Sequence, residues 1–127
     1  MSRPSYVVVF ECPDASVDTG AKRFVLRRGL YAYVGSCGAS CVKRITRHLR
    51  RPLKRHWHVD FLPCAPLLAV VFRLDEKELA QRLSARLEYV PRFGSSDDPR
   101  ALSHLFRVQS LRELLDVIST PSVHYSR

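Results

Sequence analysis

Residues 29–62, GLYAYVGSCGASCVKRITRHLRRPLKRHWHVDFL, decide how the rest of the chain is read. Residues 30–34 have the look of a strand, with Tyr31 and Tyr33 two apart and therefore on one face. Gly35, Ser36, Gly38 and Ser40 make a small-residue connection in which Ser36 or Ser40 can cap a helix. Residues 41–51 supply that helix: Cys41, Val42, Ile45 and Leu49 form an apolar stripe, and Lys43, Arg44, Arg47, Arg50 and Arg51 take the remaining positions. Pro52 stops it. Residues 57–62 read as a further strand, because His56, His58 and Asp60 alternate with Trp57, Val59 and Phe61. Strand, turn, basic helix and strand in close succession point to a sheet with a helix laid against it.

Upstream, residues 6–11 form a first strand with apolar side chains on both faces, the mark of a central strand covered on both sides. CPDASVDTG is turn or loop by composition. Residues 23–27 make a short second strand, with Phe24 and Leu26 opposite Val25. Downstream, residues 67–74 are another strand. Asp75-x-x-Glu78 resembles a capping box, and the helix it opens buries Leu79, Leu83 and Leu87 and ends before Pro91. Residues 93–99 are a loop, 105–108 a last strand and 111–118 a last helix. The expected class is α/β (α+β): a small mixed, largely antiparallel sheet flanked by helices. Residues 1–120 form one domain and 121–127 a frayed tail.

The charge is as uneven as the pattern. The chain of 127 residues carries a formal net charge of +9. No acid lies between Asp18 and Asp60, where eleven of the 21 Lys and Arg fall. Such a balance favours a nucleic acid, an anionic membrane or an acidic protein as partner, or else a plain solvated basic face. No apolar run approaches the ~20 residues of a membrane span. YVVVF is too short for the apolar core of a secretory signal. A cytoplasmic location without membrane attachment is expected, and with it four reduced thiols at Cys12, Cys37, Cys41 and Cys64.

Several residues carry usable chemistry. Arg44 and His48 lie four apart on the helix and project together. Arginine offers a planar donor fork matched to phosphate, and histidine moves protons near neutral pH. Arg47 and Arg51 can track a phosphate backbone. On a strand, His56, His58 and Asp60 would share a polar face able to hold a cation or relay protons. Glu76 and Glu78 open a helix, where acids are common because of the dipole.

Five motifs then converge. Tyr33-Val34-Gly35-Ser36, Arg44-Ile45-Thr46-Arg47-His48-Leu49 and Trp57-His58-Val59-Asp60-Phe61-Leu62 come first. Phe93-Gly94-Ser95-Ser96-Asp97 and Ser103-His104-Leu105-Phe106 follow. Together they resemble the GIY-YIG nuclease superfamily, and within it the small stand-alone Uri-type endonucleases, over nearly the whole chain. The resemblance implies a GIY-YIG-like fold and metal-dependent hydrolysis of phosphodiester bonds in DNA. It makes Tyr33 the second-motif tyrosine and Tyr6 the first, with Tyr31 as second choice. It makes Arg44 the phosphate-gripping arginine, and His48 the histidine one turn on, with His58 as reserve base. Glu76 becomes the ligand of one Mg²⁺ or Mn²⁺. Lys43, Arg47, Arg50, Arg51, Lys54 and Arg55 would contact nucleic acid, DNA ahead of RNA. Ser36, Ser96, Asp97 and His104 would contribute from loops. A tyrosine activating water needs its phenol acidified, and the cations around Arg44 are the expected source.

The chain departs from the pattern at Pro4 and Ser5, where glycine and a small or apolar residue are usual. It departs again at residues 98–101, which lack the branch's cysteines. A non-catalytic nucleic-acid-binding module on the same fold is the alternative reading, and a zinc-held module using Cys37, Cys41 and histidines a third. The expected state is a monomer or weak dimer.

Overall fold

A computed structural model describes residues 3–50, 54–55, 58–94 and 103–120. The chain runs β1 (Ser5–Cys12), β2 (Ala15–Asp18), β3 (Arg23–Leu26), β4 (Gly29–Ser36) and α1 (Cys41–Arg50). It continues with a 3₁₀ turn (His58–Phe61), β5 (Ala65–Phe72), α2 (Glu76–Ser84), β6 (Glu88–Tyr89), β7 (Leu105–Val108) and α3 (Leu111–Ser119). Five strands form one antiparallel sheet in the order β5-β1-β4-β7-β6, and β2 and β3 form a separate hairpin. The fold is the expected α+β class.

β1 is the axis of the sheet because it is apolar on both faces. Val7 and Val9 pack with Ala32, Val34, Phe106 and Val108 against Leu79 and Leu83 of α2 and Leu114 and Ile118 of α3. Tyr6, Val8 and Phe10 share the opposite face with Tyr31 and Tyr33, under Cys41 and Ile45 of α1, Val17 and Phe24 of the hairpin, and Val59 of the 3₁₀ turn. Antiparallel register sets Tyr6 against Gly35 and Val8 against Tyr33. Both tyrosines therefore lie on the α1 side.

Four expectations are corrected. Residues 15–18 are a strand, not loop: Val17 is buried while Ser16 and Asp18 face out, enough to pair with β3 at a polar margin. β3 accordingly leaves the main sheet. Residues 58–61 turn as a 3₁₀ segment and do not extend; Val59 drops into the core and Asp60 reaches Arg47, so no common strand face forms. Finally, α1 is rotated from the expected phase: Val42 is 74 % and Leu49 42 % exposed, while His48 is 4 % exposed. A buried histidine with a partner outcompetes Val42 and Leu49 for the inward position.

The helix signals otherwise work. Ser40 Oγ accepts from Lys43 N at 3.2 Å, so Ser40 is the cap of α1. Asp75 caps α2 through Lys77 N, while Glu78 turns to Arg82 at 2.8 Å instead of closing the box. Helix α2 stops at Ser84, and Leu87 is buried from the turn beyond it.

The cysteines are not free thiols. Cys12 is bonded to Cys64 and Cys37 to Cys41. The first pair staples the end of β1 to the strand-ward exit of the 3₁₀ turn; the second spans the entry to α1. The sulfurs a zinc module would need are thus already committed. Among the described residues, no helix is long and apolar enough to cross a membrane.

Candidate functional site

One end of the sheet gathers polar groups under α1. Tyr6 stands on β1 across from Gly35, and its hydroxyl lies 2.6 Å from His48 Nε2. Tyr33, two residues before Gly35 on β4, sets its ring edge-on to His48 with centroids 5.6 Å apart. Arg44, one turn before His48, donates from Nη1 to the Ser36 carbonyl at 2.9 Å. Tyr6, Tyr33, Arg44 and His48 are thus brought together by one strand pair and one helix.

Gly35 is what lets the pair form. A Cβ there would lie 2.3 Å from the Tyr6 hydroxyl oxygen and ring carbon, a distance that real atoms do not tolerate. Tyr6 is 2 % exposed and has nowhere to move. Gly35→Ala should therefore cost about 1–3 kcal/mol of stability through overpacking. It should also break the Tyr6–His48 hydrogen bond. Urea denaturation measures the first effect, and loss of the hydrogen-bonded His48 imidazole signal in NMR the second. A variant as stable as wild type with that signal intact would contradict the contact.

Burial raises the Tyr6 and Tyr33 hydroxyls well above ordinary phenol values; Arg44 pulls down, but Glu76 and Asp60 push up with burial. This reverses the expected acidification, because a dry site and two carboxylates outweigh one guanidinium. His48 moves the other way: burial lowers it to about 4, against a partial pull upward from Asp60. The imidazole is neutral at pH 7 and has a ring nitrogen able to accept the Tyr6 proton. The unfolded chain binds a proton at His48 below about pH 6.5, whereas the folded chain resists until about pH 4. Stability contributed by neutral His48 is present above that window and lost as pH falls through it. Urea midpoints measured from pH 7.5 to 4.5 should show the fall, and His48→Gln should show less of it.

The remaining predicted residues divide. Tyr31 belongs elsewhere: its hydroxyl accepts from Arg27 N and donates to Arg27 O, while Tyr6 and Tyr33 are the tyrosines that meet His48. Glu76 is the first residue of α2, with its carboxylate 3.4 Å from the buried His104 Nδ1. Its field reaches both tyrosines. His104 backbone groups bond to Val34 and Phe93, fixing it beside β4. Ser36 serves through its carbonyl and by accepting from Gly38 N with Oγ. His58 sits apart: Nδ1 accepts from Gly94 N at 3.1 Å and the ring packs on Phe24 and Phe93. Burial lowers its pKa as well. With that nitrogen engaged, His58 is a loop anchor.

Of the basic residues, Lys43, Arg50, Lys54 and Arg55 are exposed, and Arg55 lies over the Phe61 ring. Arg47 is different. Its guanidinium bonds the wholly buried Asp60 carboxylate at 2.7 Å and the Lys54 carbonyl, so it ties α1 to the segment after it. Arg51, His56, Trp57, Ser96 and Asp97 lie outside the described residues. Sequence reading missed the loop cross-link; the C-x-x-x-C spacing ahead of a helix was the available signal.

Glu76 presents a partly exposed carboxylate whose field reaches Tyr6 and Tyr33. Among the described residues no three His, Cys, Asp or Glu side chains gather as an all-protein cage. A partly exposed single carboxylate fits Mg²⁺, which keeps waters and takes substrate phosphate as ligand. No curated protein and no solved structure matches the chain. Across residues 5–125, strands, site and final helix alike, the sequence fits the model of the domain of unknown function DUF123, and the chain belongs to that family.

Proposed function

We propose that the chain is a divalent-metal-dependent endonuclease of the GIY-YIG type that hydrolyses phosphodiester bonds in DNA within the cytoplasm. The observation that carries this reading is the Tyr6–His48 pair at 2.6 Å beside Arg44, at the end of the sheet where Glu76 exerts its field. Arg44 binds the non-bridging oxygens of the scissile phosphate, and its attraction grows as charge builds there. Tyr6 orients water, and neutral His48 takes the proton that Tyr6 relays, which removes the need for a free phenolate. Tyr33 walls the site and bounds the water's position. Glu76 holds the ion, which when bound stabilises charge on the phosphate and leaving oxygen. Lys43, Arg50, Lys54 and Arg55 supply the salt-sensitive hold on the backbone. Cys12 and Cys64 are each 2 % exposed, which shields the bond between them from cytoplasmic reductants.

Supercoiled plasmid and branched DNA incubated with the protein should be nicked in Mg²⁺ or Mn²⁺, spared in EDTA, and spared by Glu76→Gln. Salt-dependent DNA binding with no cleavage in either metal would replace this reading with the non-catalytic binder.

A further inference from the structure

The connection from β4 to α1 contains a cross-link that the reaction above does not use. The Cys37–Cys41 disulfide closes a ring around Gly38, Ala39 and Ser40. Within that ring is the seat of Arg44. Gly38 has φ +58°, and a Cβ on it would stand 2.7 Å from the guanidinium carbon of Arg44. The guanidinium packs directly on the loop backbone and donates to the Ser36 carbonyl. One sulfur belongs to the residue after Ser36, the other to the first residue of the helix that carries Arg44. Cys37 N also bonds the Pro4 carbonyl at 3.2 Å, which fixes the ring to the start of β1. Without the bond, the run of Gly, Ala and Ser is held by short turn hydrogen bonds, Gly38 N to Ser36 Oγ at 3.3 Å and Ser40 N to the Cys37 carbonyl at 3.1 Å, which leave it far more conformational freedom than a covalent ring does.

We propose that the Cys37–Cys41 disulfide is a positioning element for Arg44, and that a dithiol reductant, by opening it, weakens the site's grip on phosphate. The second half rests on the reading of Arg44 as a phosphate-binding group. Exchange begins at Cys41, a partly exposed residue, because Cys37, Cys12 and Cys64 are each 2 % exposed. A thiolate of the reductant attacks Cys41 Sγ; the Cys37–Cys41 bond breaks and Cys37 leaves as thiolate and takes a proton. The reductant's second thiol attacks the mixed disulfide and releases Cys41, also protonated. Two electrons pass to the protein, and the reductant leaves as its own disulfide. The Cys12–Cys64 bond, with both residues buried, survives the same exposure. The cross-link therefore makes DNA affinity sensitive to thiol poise without unfolding the domain.

The test compares oxidised wild type with Cys37→Ala/Cys41→Ala, each with and without Arg44→Ala. Wild type reduced by dithiothreitol to the two-thiol species, verified by mass, gives the same comparison without substitution. Hydrogen exchange by mass spectrometry reads residues 36–44. Fluorescence anisotropy in EDTA reads affinity for a labelled oligonucleotide. Opening the bond should accelerate exchange in 36–44 and raise Kd about tenfold, the equivalent of one charge-assisted hydrogen bond. In the Arg44→Ala background it should leave Kd unchanged. Unaltered exchange overturns the positioning role whatever the oligonucleotide does. An equal Kd shift in both backgrounds also overturns it, since the bond would then act on the fold at large. Faster exchange with no oligonucleotide bound by oxidised protein overturns the phosphate reading of Arg44, and the affinity half of the proposal with it.

Discussion

Arg44→Ala should lower the rate of DNA cleavage by about 10²–10³-fold while leaving the melting temperature within a few degrees of wild type. The expectation follows from how the side chain is held. Its Nη1 spends one hydrogen bond on the Ser36 carbonyl, and the flat group lies against Gly38, which has no side chain to displace it. Backbone contacts orient the fork before any substrate arrives, so little is lost to ordering when phosphate binds. Removing it leaves a half-buried surface position that water can fill, hence the small stability effect. Lysine should recover only part of the rate, since a point charge on a flexible stem cannot reproduce a planar fork. Single-turnover cleavage of a labelled duplex, paired with thermal melts, measures both halves. A loss of only a few fold would remove Arg44 from the reacting phosphate. Arg47 gives the contrast: its partner is buried Asp60, so Arg47→Ala should act on stability first.

The pairing of an arginine with a neutral histidine–tyrosine unit was partly legible in the sequence. Arg44 and His48 at i, i+4 must share a helix face, and Tyr6 and Tyr33 fall on one sheet face once β1 and β4 pair. What the spacing did not reveal was the helix phase. Val42 and Leu49 advertise an apolar stripe, yet they are exposed, because His48 gains a hydrogen bond inside that leucine cannot make. The segment at residues 58–61 misled for a related reason. Polar and apolar residues alternate there with strand period, but Val59 drops into the core and Phe61 packs at its margin, while Asp60 is drawn to Arg47 and His58 to Gly94. Alternation reports which residues want burial; tertiary partners decide the backbone path that grants it. β2 was invisible because Ala15, Ser16 and Asp18 lack strand-forming side chains, and the hairpin with β3 supplies the order instead. The direction of the tyrosine shifts was illegible for the same kind of reason: charge can be counted along a chain, but dryness and the nearness of Glu76 and Asp60 cannot.

Loss of the Cys12–Cys64 bond should cost about 4 kcal/mol, because it closes a loop of 52 residues in the unfolded chain. For a domain of this size that corresponds to a fall in melting temperature of roughly 10–20 °C. The same chain-entropy reasoning gives the four-residue Cys37–Cys41 loop about 2 kcal/mol. The long loop also encloses the hairpin, β4, α1 and the 3₁₀ turn, all of which contribute to the tyrosine face. Its two ends meet in the core beside Phe10 and Leu62, so the bond fixes where the 3₁₀ turn leaves the sheet, and through Asp60 where Arg47 anchors α1. Cys12→Ala/Cys64→Ala should therefore lose stability yet retain cleavage when assayed well below its lowered melting point, the inverse of Arg44→Ala. Thermal melts of the double variant, with the Cys37–Cys41 bond confirmed by mass, decide the matter. A melting temperature within a few degrees of wild type would mean that the unfolded chain is already restrained across this loop. Loss of cleavage at low temperature with the fold intact would instead move the bond from the scaffold into the site.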